Sequence, residues 1–217
     1  MTRSTALASE LDGRLEELPA IAIMRASTGR YLVAAAEVLV EEGFRVLEFP
    51  LTTPNALDAV ADARSQFGDR AMVGAGTVLD AAEAERAIAA GAQLLVSPAL
   101  CLDVVAASHA AGLPTLPGAF TATEIIATLS AGATLTKLFP VNIVGPEYLA
   151  ALRQPLPELR AVPTGGVSLA NAGGWLRAGA AALGLGSPLV ADTIETGNLG
   201  LLRELARTWV HAIRACA

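Results

Sequence analysis

A repeated pattern of helix, glycine and apolar strand constrains the fold of this chain more than any other feature. Helical stretches with apolar residues every three or four positions end on Gly43, Gly91, Gly112, Gly132 and Gly179, and an apolar run follows each one. Glycine is favoured after the last helical turn because it enters the left-handed backbone region at little cost. The predicted strands are residues 20–25, 46–51, 71–78, 94–98, 114–118, 135–140, 160–167 and 182–187.

Helical patterns separate these strands in one unbroken run. They cover residues 31–42, 56–66, 81–90, 102–111, 123–131 and 146–152, and a last helix covers 201–215. Eight such units without a linker predict an α/β fold, a single (β/α)8 TIM barrel that forms one domain over residues 1–217. Residues 1–18 are predicted to add an N-terminal amphipathic helix. An open doubly wound sheet is the alternative, which the count of eight disfavours.

The overall charge excludes several classes of partner. The net charge is −6 and no block of basic residues occurs, so neither nucleic acid nor an anionic membrane surface is expected as a partner. Glu10, Asp12, Glu16 and Glu17 stand where a signal peptide would be apolar, and the apolar run 178–191 is too short to span a membrane. The two cysteines suggest no disulfide framework, so we expect a cytoplasmic protein.

Three ionisable side chains stand at the carboxyl ends of the predicted strands. They are Arg25, Glu48 and Lys137, and Lys137 is the single lysine of the chain, set among apolar residues. In a barrel of this kind the functional residues lie at these strand ends. A desolvated amine can attack a ketone, a carboxylate can move protons and a guanidinium can hold an acid group. Structural roles, such as an ion pair between Glu48 and Arg25, are the alternative.

Glycines after the last two strands form a second group. Gly165 and Gly166 follow the seventh strand, and Gly186 and Ser187 follow the eighth. Exposed backbone N–H groups at these two positions commonly bind phosphate, with Ser168 and Ser187 as candidate hydroxyl donors. Plain turns are the alternative explanation.

Other glycines and histidines carry weaker signals. Gly74 and Gly76 lack the third glycine of a dinucleotide loop and are read as a close backbone approach. His109 and His211 lie in helical patterns outside any metal-binding motif, so no metal site is predicted.

At these residues the chain resembles the class I 2-keto-3-deoxy-6-phosphogluconate and 2-keto-3-deoxy-6-phosphogalactonate aldolases, a family that includes 4-hydroxy-2-oxoglutarate aldolases. The likeness runs from about residue 18 to residue 190 and depends on several short motifs in a fixed order. The motifs are Val46-Leu47-Glu48, Val73-Gly74-Ala75-Gly76-Thr77-Val78, Ser97-Pro98, Pro117-Gly118, Lys137-Leu138-Phe139-Pro140, Pro163-Thr164-Gly165-Gly166-Val167 and residues 184–187.

The resemblance implies a role for each matched residue. Lys137 would form a Schiff base with the C2 ketone of a phosphorylated keto acid, and Glu48 would move protons through a water molecule. The family resemblance also implies a homotrimer that needs no cofactor and no metal. The residues implied to contact the substrate are Thr77 at the carboxylate, Pro98 and Phe139 as walls, and Gly165, Gly166, Gly186 and Ser187 at the phosphate.

The choice between the two C4 epimers stays open. Gluconate-type enzymes have an arginine at the position of Thr52, four residues after the glutamate. Galactonate-type enzymes have a small polar residue there and an arginine at the end of the first strand, and this chain resembles them in both Thr52 and Arg25. Thr164, however, resembles the gluconate type. Arg25 is therefore expected to hold the substrate carboxylate, and Thr164 is expected to lie near the C4 hydroxyl.

Three other functions fit a barrel with these residues. They are a metal-dependent pyruvate aldolase, a phosphosugar isomerase or epimerase that uses Glu48 as base, and a phosphosugar-binding protein without catalysis. The first would need a second carboxylate near Glu48, and the last would need neither the amine nor the carboxylate.

Overall fold

The computed structural model describes residues 3–216, so Met1, Thr2 and Ala217 of the predicted helix and domain lie outside the described residues. The strands alternate with helices along the chain, as the glycine pattern predicts. The strands are β1 Ala20–Ile23, β2 Val46–Pro50, β3 Met72–Gly76, β4 Leu95–Val96, β5 Thr115–Leu116, β6 Gly118–Ala119, β7 Thr136–Leu138, β8 Ala161–Pro163 and β9 Leu183–Leu185.

A helix precedes β1, helices separate most of the later strands, and three helices follow β9. They are α1 Arg3–Glu17, α2 Leu32–Glu41, α3 Ala56–Phe67, α4 Ala81–Ala89, α5 Leu102–Ala111, α6 Ala122–Ser130, α7 Pro146–Arg153, α8 Ala172–Arg177, α9 Ser187–Val190, α10 Thr193–Thr196 and α11 Leu199–Arg214. The five glycines predicted to end helices all have positive φ, between +69° and +110°, so this part of the prediction is confirmed.

The strands form two curled parallel sheets. One has the order β5-β4-β3-β2-β1-β9 and the other the order β6-β7-β8. They meet twice: β5 and β6 are separated only by Pro117, and a parallel bridge joins Thr164 to Gly184. The predicted α/β class with a parallel sheet is confirmed.

Side chains on the strands alternate between two apolar clusters. Val46, Met72 and Leu94 lie in an inner cluster, whereas their neighbours Leu47, Val73 and Leu95 pack outwards against the helices. Successive residues of a strand point to opposite faces, so a residue two positions after an inner one also points inwards. This register turns Glu48, two residues after Val46, and Lys137, two residues after Leu135, towards the inside.

Three parts of the predicted element list are corrected. The predicted strand 114–118 divides at Pro117, because proline has no N–H to donate to a ladder. The predicted strands 94–98, 160–167 and 182–187 are shorter in the structure, where β4 has two residues and β8 and β9 have three each. Finally, α8, α9 and α10 are short helices that the apolar periodicity did not predict; α8 contains Gly173 and Gly174, which weaken a helical pattern.

Candidate active site

A cavity of about 540 Å³ lies at the carboxyl ends of the strands. Its walls come from segments that follow β1, β3, β4, β7, β8 and β9, so residues far apart in sequence meet there. The size suits a small-molecule ligand. The predicted site residues that line it are Arg25, Thr77, Pro98, Lys137, Phe139, Thr164, Gly165, Gly166, Gly186 and Ser187.

Lys137 reaches this cavity from the middle of β7. Its backbone N–H donates to Pro117 O at 3.0 Å, and its register pairs it with Gly118 on one side and Val162 on the other. The residue is only 6% exposed, and Nζ lies 5.8 Å from the centroid of the Phe139 ring. The amine is therefore held on a rigid element in a largely desolvated position at the cavity wall.

Glu48 lies beside Lys137 but deeper. Its side chain is 2% exposed, and Oε1 lies 3.5 Å from Lys137 Nζ. The distance permits an ion pair, but the two groups are not aligned as a hydrogen bond, and Oε1 receives no hydrogen bond from residues 3–216. A buried carboxylate oxygen without a donor is costly. Glu48 Oε1 is therefore free to accept a hydrogen bond from a group that binds beside Lys137.

Gly76 on β3 provides the space that Glu48 occupies. A Cβ atom at this position would collide with the Glu48 carboxylate, and at Gly74 it would press against Leu94. The predicted close backbone approach is confirmed at Gly74, where the Leu94 carbonyl oxygen would lie 3.0 Å from a Cβ, whereas at Gly76 the close group is a side chain.

Arg25 and Thr77 form a pair on one side of the cavity. Arg25 follows β1 and is exposed, and its Nη2 donates to Thr77 Oγ1 at 3.2 Å. Thr77 has φ +56°, a left-handed conformation that is rare for a β-branched residue. Of the three ionisable residues predicted to meet, Lys137 and Glu48 contact each other, whereas Arg25 bonds Thr77 instead. This arrangement leaves the Arg25 guanidinium facing the cavity.

The glycines after β8 allow two loops to pack closely. Gly165 and Gly166 have φ +72° and +138°. A Cβ at Gly165 would strike the Phe139 ring, and one at Gly166 would strike the backbone of Asn142. Val141 N–H donates to both Thr164 O and Gly165 O, at 3.1 and 3.0 Å. Glycine is thus required here for backbone conformation and for space.

Hydroxyl groups at this end of the cavity have different environments. Ser187 lines the cavity and begins α9. Ser168 is not among the lining residues, and its N–H donates to Asn171 Oδ1 at 2.8 Å. Thr164 Oγ1 donates to Val162 O at 3.1 Å. With its hydrogen engaged, the Thr164 oxygen can act as an acceptor towards the cavity.

Four lining residues were not predicted: Ile23, Val167, Gly184 and Pro188. Strand alternation could have identified two of them, because Ile23 lies two residues before Arg25, and Gly184 two residues before Gly186. Val167 lies in a loop and Pro188 in the four-residue helix α9, and neither segment is long enough to show a periodic signal.

The groups outside the cavity include both histidines and both cysteines. His109 Nε2 lies 3.1 Å from Gly132 O, and burial raises the pKa of the Cys101 thiol. Among residues 3–216, no three His, Cys, Asp or Glu side chains cluster as metal ligands would. Nor does this described part of the chain contain a helix long and apolar enough to cross a membrane.

Comparison with known proteins gives one consistent family. The family model for KDPG and KHG aldolases matches residues 11–205. The chain is 37% identical to the 2-dehydro-3-deoxy-6-phosphogalactonate aldolase of Escherichia coli over 177 residues, which is 80% of this chain and 85% of that protein. It is 33% identical to the KHG/KDPG aldolase of the same organism over 198 residues, which is 90% and 92% of the two chains.

Solved structures agree with this result. A structure described as native KDPGal superposes with a TM-score of 0.85 at 33% identity, and covers 92% of this chain and 96% of its own. A KDPG aldolase from Legionella pneumophila, captured with pyruvate as a covalent carbinolamine intermediate, superposes with a TM-score of 0.78 at 27% identity, with 97% and 98% of the chains covered. From its sequence and its fold, the chain belongs to the KDPG and KHG aldolase family and is an aldolase, a lyase.

Proposed function

We propose that this aldolase is a class I enzyme that cleaves a 2-keto-3-deoxy-6-phospho sugar acid, of the galactonate or gluconate type, into pyruvate and glyceraldehyde 3-phosphate. One observation carries the proposal: the single lysine of the chain is 6% exposed, lines the cavity and lies 3.5 Å from the buried carboxylate of Glu48. An amine and a carboxylate in this arrangement supply the nucleophile and the proton carrier that imine chemistry requires.

The first half of the reaction builds the imine. The neutral amine of Lys137 attacks C2 of the keto acid, and the carbonyl π electrons move to oxygen. The new ammonium nitrogen then loses a proton and the oxygen gains one, which gives a neutral carbinolamine. A further proton on that hydroxyl lets it leave as water while the nitrogen lone pair forms the C=N bond. Glu48 is the group placed to deliver and retrieve these protons.

The second half breaks the C3–C4 bond. Loss of the C4 hydroxyl proton to Glu48, through a water molecule, lets the C3–C4 electron pair flow into the protonated imine. Glyceraldehyde 3-phosphate leaves, and an enamine remains on Lys137. A proton returned to C3 restores the imine, and water then releases pyruvate and the free amine. The protonated imine is the electron sink, so the scheme needs no metal ion or cofactor.

Each of the remaining cavity groups binds a different part of the substrate. Arg25 and Thr77 hold the carboxylate, because the guanidinium faces the cavity next to a hydroxyl. Gly165, Gly166, Gly186 and Ser187 receive the phosphate through backbone N–H groups and the serine hydroxyl. Pro98 and Phe139 form walls. Thr164, whose oxygen is an acceptor towards the cavity, contacts the C4 hydroxyl.

Arg25 and Thr52 favour the galactonate epimer and Thr164 the gluconate epimer, so we propose a relaxed site that accepts both. Relatives of both types match the chain equally well, since a phosphogalactonate aldolase of Escherichia coli and a phosphogluconate aldolase of Treponema pallidum are each 37% identical to it. Steady-state assays with the two C4 epimers measure the ratio of their kcat/KM values. A preference of more than about 100-fold, equal to about 2.7 kcal/mol, would contradict a relaxed site.

The same proposal includes the assembly of the molecule. The shared segment at Pro117 and the Thr164–Gly184 bridge support one closed (β/α)8 barrel, which acts as a homotrimer in the cytoplasm. Both cysteines are free, which suits a reducing compartment. A solved chain that matches 92% of this one belongs to a protein cage designed by fusing symmetric oligomeric domains. Sedimentation measurements test the trimer.

Borohydride trapping tests the chemistry. The protein is incubated with pyruvate, reduced, and weighed intact by mass spectrometry. We expect the mass gain of one reduced pyruvyl group per chain, located on Lys137 and lost in Lys137→Arg. A folded wild-type protein that forms no adduct would remove the Schiff-base mechanism, and activity abolished by EDTA would point to metal-dependent cleavage instead.

A further inference from the structure

Two buried hydroxyl groups lie directly behind the Arg25–Thr77 pair. Thr53 follows β2 and Ser97 follows β4, and each is 2% exposed. Neither lines the cavity. Each one bonds the backbone of the residue that comes immediately after a member of the pair.

Thr53 fixes the segment that carries Arg25. Ala26 N–H donates to Thr53 Oγ1 at 3.2 Å within the protein interior. On the other side of Arg25, Met24 N–H donates to Glu48 O at 2.8 Å. The backbone of Arg25 is therefore held on both sides by β2 and the turn after it. The side chain is exposed, so its position depends on this backbone support.

Ser97 fixes the segment that carries Thr77. Ser97 Oγ donates to Val78 O at 2.7 Å, and Val78 N–H donates to Val96 O at 3.1 Å. On the other side of Thr77, the Gly76 carbonyl accepts from Leu51 N–H at 2.8 Å. Thr77, held between these bonds, has φ +56°. A β-branched residue keeps such a strained conformation only where its surroundings impose it.

From these contacts we infer that Thr53 and Ser97 are positioning residues for the carboxylate clamp formed by Arg25 and Thr77. The inference depends on the proposed function, in which that pair holds the carboxylate of the keto acid. Thr53 places the guanidinium, and Ser97 keeps Thr77 in the backbone conformation that turns its hydroxyl towards Arg25. Neither residue touches the reacting atoms. Their loss should weaken recognition of the carboxylate and leave the imine chemistry of Lys137 intact.

The test compares a ketone that has a carboxylate with one that lacks it. Borohydride trapping is titrated with pyruvate and with acetone in the wild type, Thr53→Val and Ser97→Ala. For each variant we expect the half-saturating pyruvate concentration to rise about fivefold to tenfold, because one buried hydrogen bond is lost, while trapping with acetone stays within about twofold. Thr53→Ser, which keeps the hydroxyl, should restore the pyruvate value.

A matched control separates positioning from a general loss of stability. Ser108 on α5 is also fully buried, and its hydroxyl donates to Leu113 O at 3.1 Å, away from the clamp. Ser108→Ala should lower the melting temperature as Ser97→Ala does and leave the pyruvate titration unchanged. If Thr53→Val does not fold, Thr53→Ala replaces it.

Double variants show through which residue each hydroxyl acts. In an Arg25→Ala background the effect of Thr53→Val on pyruvate should disappear, and in a Thr77→Ala background that of Ser97→Ala should disappear. Folded variants with wild-type pyruvate titrations, or with equal losses for pyruvate and acetone, would overturn the inference. A wild type that traps neither ketone would instead refute the proposed function.

Discussion

At the scale of single residues, the site depends on a glycine as much as on its charged groups. Gly76 is opposite Pro50 in the β2–β3 register, two residues beyond the position opposite Glu48, and a methyl group there would meet the Glu48 carboxylate. Its φ is outside the left-handed region, so alanine is compatible with the backbone. We expect Gly76→Ala to lower kcat by about 100-fold, because a displacement of about 1 Å in a catalytic group has an effect of that order.

The assay for Gly76→Ala is steady-state cleavage of the phosphorylated keto acid, with a thermal melt in parallel. Gly13→Ala is the control, because a methyl group there meets no atom within 4 Å. A variant with unchanged kcat would show that Glu48 does not need this space.

The residue scale also separates what spacing can predict from what it cannot. Arg25, Glu48 and Lys137 were predicted to meet because each is an ionisable side chain at the carboxyl end of a predicted strand. The pairing of Arg25 with Thr77 was not predicted, since a link across 52 positions depends on which strands are neighbours.

At the scale of elements, the capping of α6 has a consequence for pH dependence. Thr121 Oγ1 accepts from Glu124 N–H, and Glu124 Oε2 accepts from the N–H groups of Thr121 and Phe120 at 2.8 and 2.9 Å. The Thr121 N–H, followed by the Phe120 N–H, lowers the pKa of Glu124 below its usual value of 4.5. A carboxyl whose folded pKa is lowered contributes stability above its unfolded pKa and loses that contribution as the pH falls through the folded value.

Glu124→Gln tests this cap. We expect the variant to be less stable than the wild type at pH 7, and the difference in the free energy of unfolding to shrink as the pH falls below about 4.5. Urea unfolding at a series of pH values measures it. Glu85→Gln, an exposed acid on α4, is the control. A difference that stays constant down to low pH would contradict a role for the carboxylate charge.

Strands and helices were predicted well where a signal within a few residues marks their start or end. Glycine caps and apolar runs placed the strands because both signals lie within a few residues of each other. The break at Pro117 and the short helices α8 to α10 were not predicted. The first needs knowledge of which N–H groups pair across the sheet, and the others hold glycines or are only four residues long.

At the scale of the whole molecule, the two ends of the strands have separate tasks. Leu11 and Leu15 of α1 belong to the inner apolar cluster, together with Ile21 and Val46 near the amino ends of β1 and β2. The cavity lies at the carboxyl ends. Helix α1 therefore completes the inner core at the end away from the site, and this core should support stability and not substrate binding.

Leu11→Ala tests this division. Leu11 is fully buried, so we expect the free energy of unfolding to fall by about 2 to 5 kcal/mol. The half-saturating pyruvate concentration in the trapping assay should not change below the melting temperature. Leu201→Ala, on the exposed part of α11, is the control and should cost less than Leu11→Ala. A folded Leu11→Ala variant with weaker pyruvate trapping would show that the two ends are coupled.

Sequence patterns were enough to predict the α/β class, the alternation of strands with the longer helices, the family and ten of the residues that line the cavity. These follow from signals between near neighbours: periodicity, glycine caps and the position of each polar residue at the end of an apolar strand. The contacts within the site appear only in the folded chain: Lys137 Nζ lies 3.5 Å from Glu48 Oε1, Arg25 bonds Thr77, and Thr53 and Ser97 bond the backbone next to that pair. The physical reason is that these contacts depend on how the sheets curl and on the register between strands, which local sequence patterns do not specify.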